Sequence, residues 1–365
     1  MELPNKMNTI KIPLDSLHRQ LGARMVPFAG FEMPVNYKGI LEEHHCVRKN
    51  VGIFDISHMG ILVVRGQGAL KFLDKMLTKP ASKVLVGKGS YALLCNEEGN
   101  TLDDLIFYRT NEDEVYLALN ASNKDEDFKW LQKHASSDVE FESHFSSHAL
   151  FALQGARAPE FLKSLGLELN YSQLYSTSRF QISGVDCLFF VSGYTGEKGC
   201  EISVSVSGAE KVFSFLLEKG KDFLIQPIGL GARDTLRTEM GYSLYGHELN
   251  QKINPIEAGL SWAVDLTSNF IGSEALRRIK EKPQRKLIAL RNIASKQAPR
   301  GDMKIFDQQQ NEVGFVTSGT FAPSLGYAIG LGIVDIQAQA PYFIDIRGQK
   351  VAYELVKRPF YVRSC

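Results

Sequence analysis

Neither sign of charge predominates in this chain: 42 basic residues stand against 41 acidic ones. There is no surplus to hold nucleic-acid phosphates or an anionic membrane non-specifically, so an anionic ligand has to be met by a local site. Cysteine is scarce. The five present, Cys46, Cys95, Cys187, Cys200 and Cys365, are odd in number, far apart and without a CxxC pair, which argues against a disulfide framework and a zinc ribbon and fits reduced thiols in a cytoplasm. Long hydrophobic runs are missing as well. Nothing approaches the ~18 consecutive apolar residues of a membrane span, and Met1 to Lys11 has neither an apolar run nor the pattern of an Arg- and Ser-rich presequence. The expectation is a soluble cytoplasmic protein, most simply a bacterial one, with no nucleic-acid and no membrane partner.

What is present is an ordinary globular composition, 44% apolar and 23% charged, spread over 365 residues. That length exceeds what one hydrophobic core usually serves, so two or three domains are expected. The chain is organised around Gly99-Asn100-Thr101-Leu102-Asp103-Asp104-Leu105-Ile106-Phe107-Tyr108. On a strand, Leu102, Asp104, Ile106 and Tyr108 share one face and Asp103, Leu105 and Phe107 the other. Both faces are mainly apolar, so at least one carboxylate points somewhere dry, where it needs a raised pKa, a hydrogen-bonded partner or a ligand. The bland alternative is an acid at a strand mouth paired with backbone amides or a basic side chain.

In chain order, Leu14, Leu17 and Leu21 recur at helical spacing with Gly22 after them, a short amphipathic helix closed by glycine. Arg24 to Pro34, with two prolines and a glycine, reads as a structured loop with its apolar side chains packed down. Ile40 to Arg48 reads as a helix. From Gly60 to His144 the pattern is a strand from Ile61, helix Ala69 to Leu77, strands at Tyr91, Leu102 and Val115, helix Lys124 to His134 and strand Val139 to Glu142, which is the order of a ferredoxin-like split βαβ unit with one extra strand. A second α+β segment follows, with strands from His148, Ser178, Val185 and Glu201 and a helix from Glu210. After the linker Lys280 to Lys286, six short runs starting at Leu287, Met303, Val313, Ile329, Phe343 and Val351 alternate between glycine and proline turns, indicating a small β-barrel or sandwich.

Several apparent motifs weaken on inspection. His44, His45 and Cys46 are consecutive on a helix and point apart, so they cannot share one metal. Ser57-His58 are sequence neighbours without a GxSxG elbow. Gly229-Leu230-Gly231-Ala232-Arg233-Asp234 lacks the third glycine of a dinucleotide fingerprint and has no clear strand before it, so it reads as the first turn of a helix with Leu236 and Met240 inward. Arg233 there faces the positive helix end, which calls for a carboxylate partner, either Asp104 or Glu201 or the acid of a ligand. The glycine-rich turn Ser192 to Glu201 permits close approach of a ligand, and Trp262, by position alone, reads as core.

Taken together, Gly22 to Pro34, Phe54-Asp55-Ile56-Ser57-His58-Met59-Gly60, Leu102-Asp103-Asp104-Leu105, Gly193-Tyr194-Thr195-Gly196-Glu197, Gly229 to Asp234 and Thr317-Ser318-Gly319 resemble the aminomethyltransferase family, the T-proteins of the glycine cleavage system, in the family's order from about Leu21 to Tyr361. The resemblance implies an α+β fold of three domains in a cloverleaf around a central folate-binding hole, with the ferredoxin-like unit and a C-terminal β-barrel or jelly-roll. The implied domains are residues 1–59 with 147–246, 60–146 with 247–285, and 286–365. The implied reaction takes the aminomethyl group on the lipoyl arm of the H-protein, releases ammonia and passes the carbon to tetrahydrofolate as 5,10-methylenetetrahydrofolate, with no metal. Carried over, the catalytic acid falls on Asp104. Met59, Tyr91 and Asn120 would line the hole, and Tyr194, Glu201, Arg233 and Trp262 would contact pteridine, benzoyl ring or glutamate.

The chain departs from the family pattern at Phe31, Ala156, Lys198 and Cys200. The last two give Lys198-Gly199-Cys200, which is similar to the signature of folate-binding accessory proteins of iron–sulfur maturation. That is the second reading, opposed by the intact Gly193 to Glu197 and Gly229 to Asp234 runs. A folate domain of a sarcosine- or dimethylglycine-oxidising flavoenzyme is a third. A monomer is expected, since no long apolar stripe is left over.

Overall fold

The computed structural model describes residues 9–293 and 296–363; Cys365 and most of the segment Met1 to Lys11 lie outside them. The chain divides into two compact units. The first comprises residues 9–62, Ala121–Asp125 and Ser143–Asp234. Its six-stranded sheet runs Thr177–Ile182, Val185–Phe190, Gly199–Ser205, His148–Gln154, Gly52–Asp55, Gln226–Ile228, antiparallel except for the final pair. The strand His148–Gln154 is buried on both faces, as its unbroken apolar run implies. Helix Val206–Lys219 lays Val212, Phe213 and Leu216 on that sheet, and Phe213 meets Phe151 edge to face at 5.1 Å. Each such side chain, fully withdrawn from water, contributes ~1.5–3 kcal/mol.

Two expectations for this unit need correction. Arg24 to Pro34 is not a loop but a hairpin, Arg24–Phe28 antiparallel to Phe31–Asn36. Its two-residue turn, Ala29 and Gly30, has positive φ at both positions (48° and 83°), the backbone of a type I′ turn that follows the twist of paired strands. Its apolar side chains are only partly packed down, Met33 being fully buried and Phe28 38% exposed. A strand, Gln226–Ile228, also precedes Gly229, pairing in parallel with Gly52–Asp55. It was hidden by Pro227 and by its length of three residues. Gly229 is needed for packing, since a Cβ there would stand 2.3 Å from the carbonyl oxygen of Val35.

The second unit comprises Val63–Asn120, Glu126–Glu142 and residues 235–363. Its five-stranded sheet has the order Lys88–Cys95, Thr101–Asn111, Glu114–Leu119, Gly60–Arg65, Glu140–Ser143, where Gly60–Arg65 begins and Glu140–Ser143 ends on residues of the first unit. That is the expected ferredoxin-like order with one extra strand. Helix Ala69–Met76 turns Phe72, Leu73 and Met76 inward. After helix Ser273–Glu281, six strands close into a barrel in the order Arg285–Asn292, Tyr327–Asp335, Glu312–Ala322, Lys304–Phe306, Tyr342–Ile346, Gln349–Val356. Closure leaves no unpaired strand edge.

A buried ion pair holds the Thr317–Gly319 segment of the barrel. Arg237 donates to Glu248 at 3.2 Å and to Ser318 Oγ at 3.0 Å, while Thr317 Oγ1 donates to the other oxygen of Glu248 at 2.5 Å. These motif residues are therefore explained by packing. Of the pair expected inward on helix Leu230–Met240, Leu236 is fully buried and Met240 half-buried.

Candidate active site

Burial along Thr101–Asn111 alternates as the sequence predicts: Asp103 is wholly buried and Asp104 half-buried. Just before them, Leu94 pairs with Asp103 and Cys95 with Thr101, leaving Leu102 as an extra, bulged residue; such bulges re-aim the side chains beside them. Although the two acids lie on opposite faces, one side chain ties them together. Asn120, just past the end of Glu114–Leu119, directs its Nδ2 at Asp103 Oδ1 (2.9 Å), the Asp104 carbonyl (2.8 Å) and Asp104 Oδ1 (3.1 Å). The other Asp104 oxygen accepts from the Tyr91 hydroxyl at 2.9 Å.

Tyr91 sits across the strand pair from Ile106, and its ring stacks on Trp262 with centroids 5.3 Å apart and planes 25° off parallel. Trp262 is 59% exposed, so its reading as core is wrong. It lies in the short helical turn Ser261–Ala263, where Ala263 is buried instead, and an aromatic held on its partner with an open face is suited to a planar ligand.

Burial and the charge of Asp103 push the Asp104 carboxyl up to about 7, although the bonds from Tyr91 and Asn120 pull it the other way. A carboxyl poised there exchanges protons near neutral pH. Sequence reasoning missed a third acid, Asp127, which is 3% exposed and hydrogen-bonded to Asp103. Burial and its acidic neighbours raise its pKa strongly. A signal was available: on helix Lys124–His134 it lies one turn from Leu131, which is fully buried. Among the described residues no three His, Cys, Asp or Glu side chains are arranged to hold a metal ion.

The remaining predicted residues belong to the first unit. The Arg233 guanidinium lies 4.6 Å above the Tyr194 ring, a cation–π contact. Glu201 is raised by burial and drawn back by a bond from Ser192 and by the Arg233 charge, which brings the cation within electrostatic reach of one of the carboxylates expected for it. Met59 is half-buried. Ser57 and His58 make no nucleophile pair: Ser57 Oγ bonds the backbone of Leu150, and burial together with Arg233 and Lys124 drives His58 well below its ordinary pKa. The predicted residues thus gather as Tyr91, Asp104, Asn120 and Trp262 in one unit and Met59, Tyr194, Glu201 and Arg233 in the other.

The departures are accommodated locally. Cys200 is fully buried in the core of the first unit, its thiol pushed far up by burial, while Lys198 is exposed. Phe31 carries Lys124 Nζ 4.4 Å from its ring centroid. Ala156 donates its N–H to the Val47 carbonyl at 3.1 Å, a bond that proline could not make.

An α+β body followed by a closed barrel carries a carboxyl of near-neutral pKa beside an open aromatic stack, a setting suited to proton exchange next to a planar ligand. Comparison with known proteins narrows this. The family model for the GCVT N-terminal domain matches residues 14–268, and that for the glycine cleavage T-protein C-terminal barrel domain matches 285–361. An aminomethyltransferase of Flavobacterium psychrophilum is 41% identical over 95% of this chain and 98% of its own. One of Thermotoga maritima is 40% identical over 96% and 97%. The crystal structure of glycine cleavage system aminomethyltransferase T from Bartonella henselae superposes with a TM-score of 0.89 at 33% identity, covering 97% of this chain and 98% of that one. The chain belongs to the glycine cleavage T-protein family of aminomethyltransferases. The resemblance read from the motifs is borne out, and the iron–sulfur accessory reading is not favoured.

Proposed function

We propose that this enzyme transfers the aminomethyl carbon from the lipoyl arm of the H-protein to tetrahydrofolate, yielding 5,10-methylenetetrahydrofolate, ammonia and dihydrolipoyl H-protein. In the balanced step, bonds from the carbon to N5 and N10 form while its bonds to sulfur and nitrogen break. The two protons shed by N5 and N10 end on the thiol and on ammonia. The observation that carries the reading is Asp104, held by Tyr91 and Asn120 with its carboxyl near pKa 7, a group able to pass protons and to stabilise positive charge on the carbon in transit. Holding N5 against that carbon supplies most of the rate, an orientation effect of up to ~7–11 kcal/mol.

In this reading Met59, Tyr91 and Asn120 line the folate site, the open face of Trp262 stacks on a ring, and Tyr194, Glu201 and Arg233 meet the rest of the cofactor. The domain limits 1–59 with 147–246, 60–146 with 247–285 and 286–365, a cytoplasmic location and a monomeric state complete the proposal. Among the described residues no helix is long and apolar enough to cross a membrane. The deciding experiment is ammonia release from aminomethyl-loaded H-protein. Release that depends on tetrahydrofolate supports the reading, and release at the same rate without it overturns the folate role.

A further inference from the structure

Asp103 accepts twice from Asn120: Oδ1 takes the amide at 2.9 Å and Oδ2 the backbone N–H at 3.4 Å. Both its oxygens are thereby satisfied as a carboxylate. Two carboxyl groups cannot hydrogen-bond each other without a proton between them, so the contact between Asp103 and Asp127 holds one, and the two Asn120 donors already on Asp103 favour Asp127 as its holder. Asp127 Oδ2 is buried and meets no hydrogen-bond partner, the condition of a neutral acid, because a bare carboxylate oxygen there would be left without compensation.

The groups facing this pair are Asp104 on the strand of Asp103, Glu126 on the helix of Asp127, and Tyr245 from the segment after helix Leu230–Met240. None is a cation. The field of the N-terminal helix end favours an ionised Asp127, but it is a surface-scale effect set against burial of a second charge beside Asp103.

We propose that Asp127 carries a bound proton in the working enzyme and, by fixing Asp103 and through it Asn120, acts as the positioning residue for the Asp104 carboxyl. The path is continuous: Asp127 donates to Asp103, Asp103 orients the Asn120 amide, and that same amide holds Asp104. The Asn120 Nδ2 has only two hydrogens for three oxygens, so a change in Asp103 alters what remains for Asp104. With Asp127 neutral, Asp104 faces one neighbouring negative charge. A second would lift it out of the range in which it exchanges protons.

The role in turnover rests on the proposed function, but the proton itself does not. Infrared spectra of the full chain at pH 8 should show a C=O stretch of protonated carboxyl that persists in Asp104→Asn and vanishes in Asp127→Asn. Its absence from the wild type, or its survival in Asp127→Asn, overturns the proposal. In the transferase assay, Asp127→Ala should lower kcat about tenfold or more and move the acid limb of the pH profile, with little change in KM for tetrahydrofolate. Asp127→Asn, which restores the donor, should bring that limb back toward the wild-type position. An Asp127→Ala profile unmoved in a folded variant refutes the positioning role. Absence of folate-dependent turnover in the wild type would instead count against the function, while the infrared result still decides where the proton sits.

Discussion

Tyr91 donates its hydroxyl to Asp104 Oδ2 at 2.9 Å, so the ring that stacks on exposed Trp262 also supplies the proton nearest the acid. Aromatic platform and carboxyl are therefore one assembly. Displacing the tyrosine ring moves the hydrogen bond with it.

Asp104→Asn keeps the shape of the site and removes its charge. Turnover should fall ~10²–10⁴-fold, the scale for losing a proton-handling or electrostatic group, and the tetrahydrofolate Kd should change much less. Asp103→Asn, whose hydrogen-bonded path to Asp104 runs through Asn120, should cost less and tests the strand register. Should it be the crippled variant while Asp104→Asn works normally, the assignment is wrong.

The raised carboxyl also sets a pH dependence of stability. Folded Asp104 titrates at about 7 against an ordinary value of 3.8, so between those values the folded state binds more protons than the unfolded one. Its contribution is fully present below pH 3.8 and is lost as pH rises through about 7. Asp104→Asn should accordingly be more stable than the wild type at pH 8, by ~1–3 kcal/mol after allowance for partial exposure. Urea titrations at pH 8 and pH 4 test this; the gain must vanish at the lower pH.

Arg233→Ala should weaken tetrahydrofolate binding by ~1.5–3 kcal/mol, the worth of a hydrogen bond to a charged group. Calorimetric titration measures it. Arg233→Lys should recover only part of the loss, because an ammonium does not cover the Tyr194 ring as a planar guanidinium does. An unchanged Kd with a lowered Tm would mean that Arg233 merely pairs Glu201.

Glu248→Ala leaves Arg237 as a buried cation with its ion-pair partner removed. Loss of one side of such a pair costs ~3–5 kcal/mol. Chemical denaturation should show that loss, and a change below ~1 kcal/mol would contradict the burial described for the pair.

Cys200→Ser should retain most transferase activity, since Cys200 sits in the apolar core of the first unit, on the strand face opposite to Glu201. The hydroxyl should cost ~1–3 kcal/mol of stability. In the wild type Cys46, Cys95, Cys187 and Cys200 are all buried, so thiol reagents should label them only on unfolding. Rapid labelling of the native protein at Cys200 would be inconsistent with that burial.

Much of this was legible in the chain because its signals are periodic. Alternation separated Asp103 from Asp104, helical spacing placed Phe72, Leu73 and Met76 inward, and six alternating runs became the barrel. What was not legible depended on partners distant in sequence. Trp262 read as core because nothing local reveals that Tyr91 offers it a stacking face. Asp127 looked like one more acid on a charged helix; its spacing from Leu131 marked the buried face, but nothing local reveals that it meets Asp103 there. The hairpin at Arg24 was obscured by Pro27 and Pro34, which usually interrupt strands but here lie in a short three-stranded sheet.

The chain passes between its two units after residues 62, 120, 125, 142 and 234, and this gives the enzyme an order of birth. The first unit has all of its sequence once Asp234 is made. The acid cluster on Thr101–Asn111 exists well before that, yet the tryptophan that stacks on Tyr91 is synthesised far later. At ~5–20 residues per second the interval is roughly ten to thirty seconds. Through that time the strands around Asp104 lack both their aromatic cover and the closing barrel, so the future active site is still incomplete when the first unit already has all of its sequence.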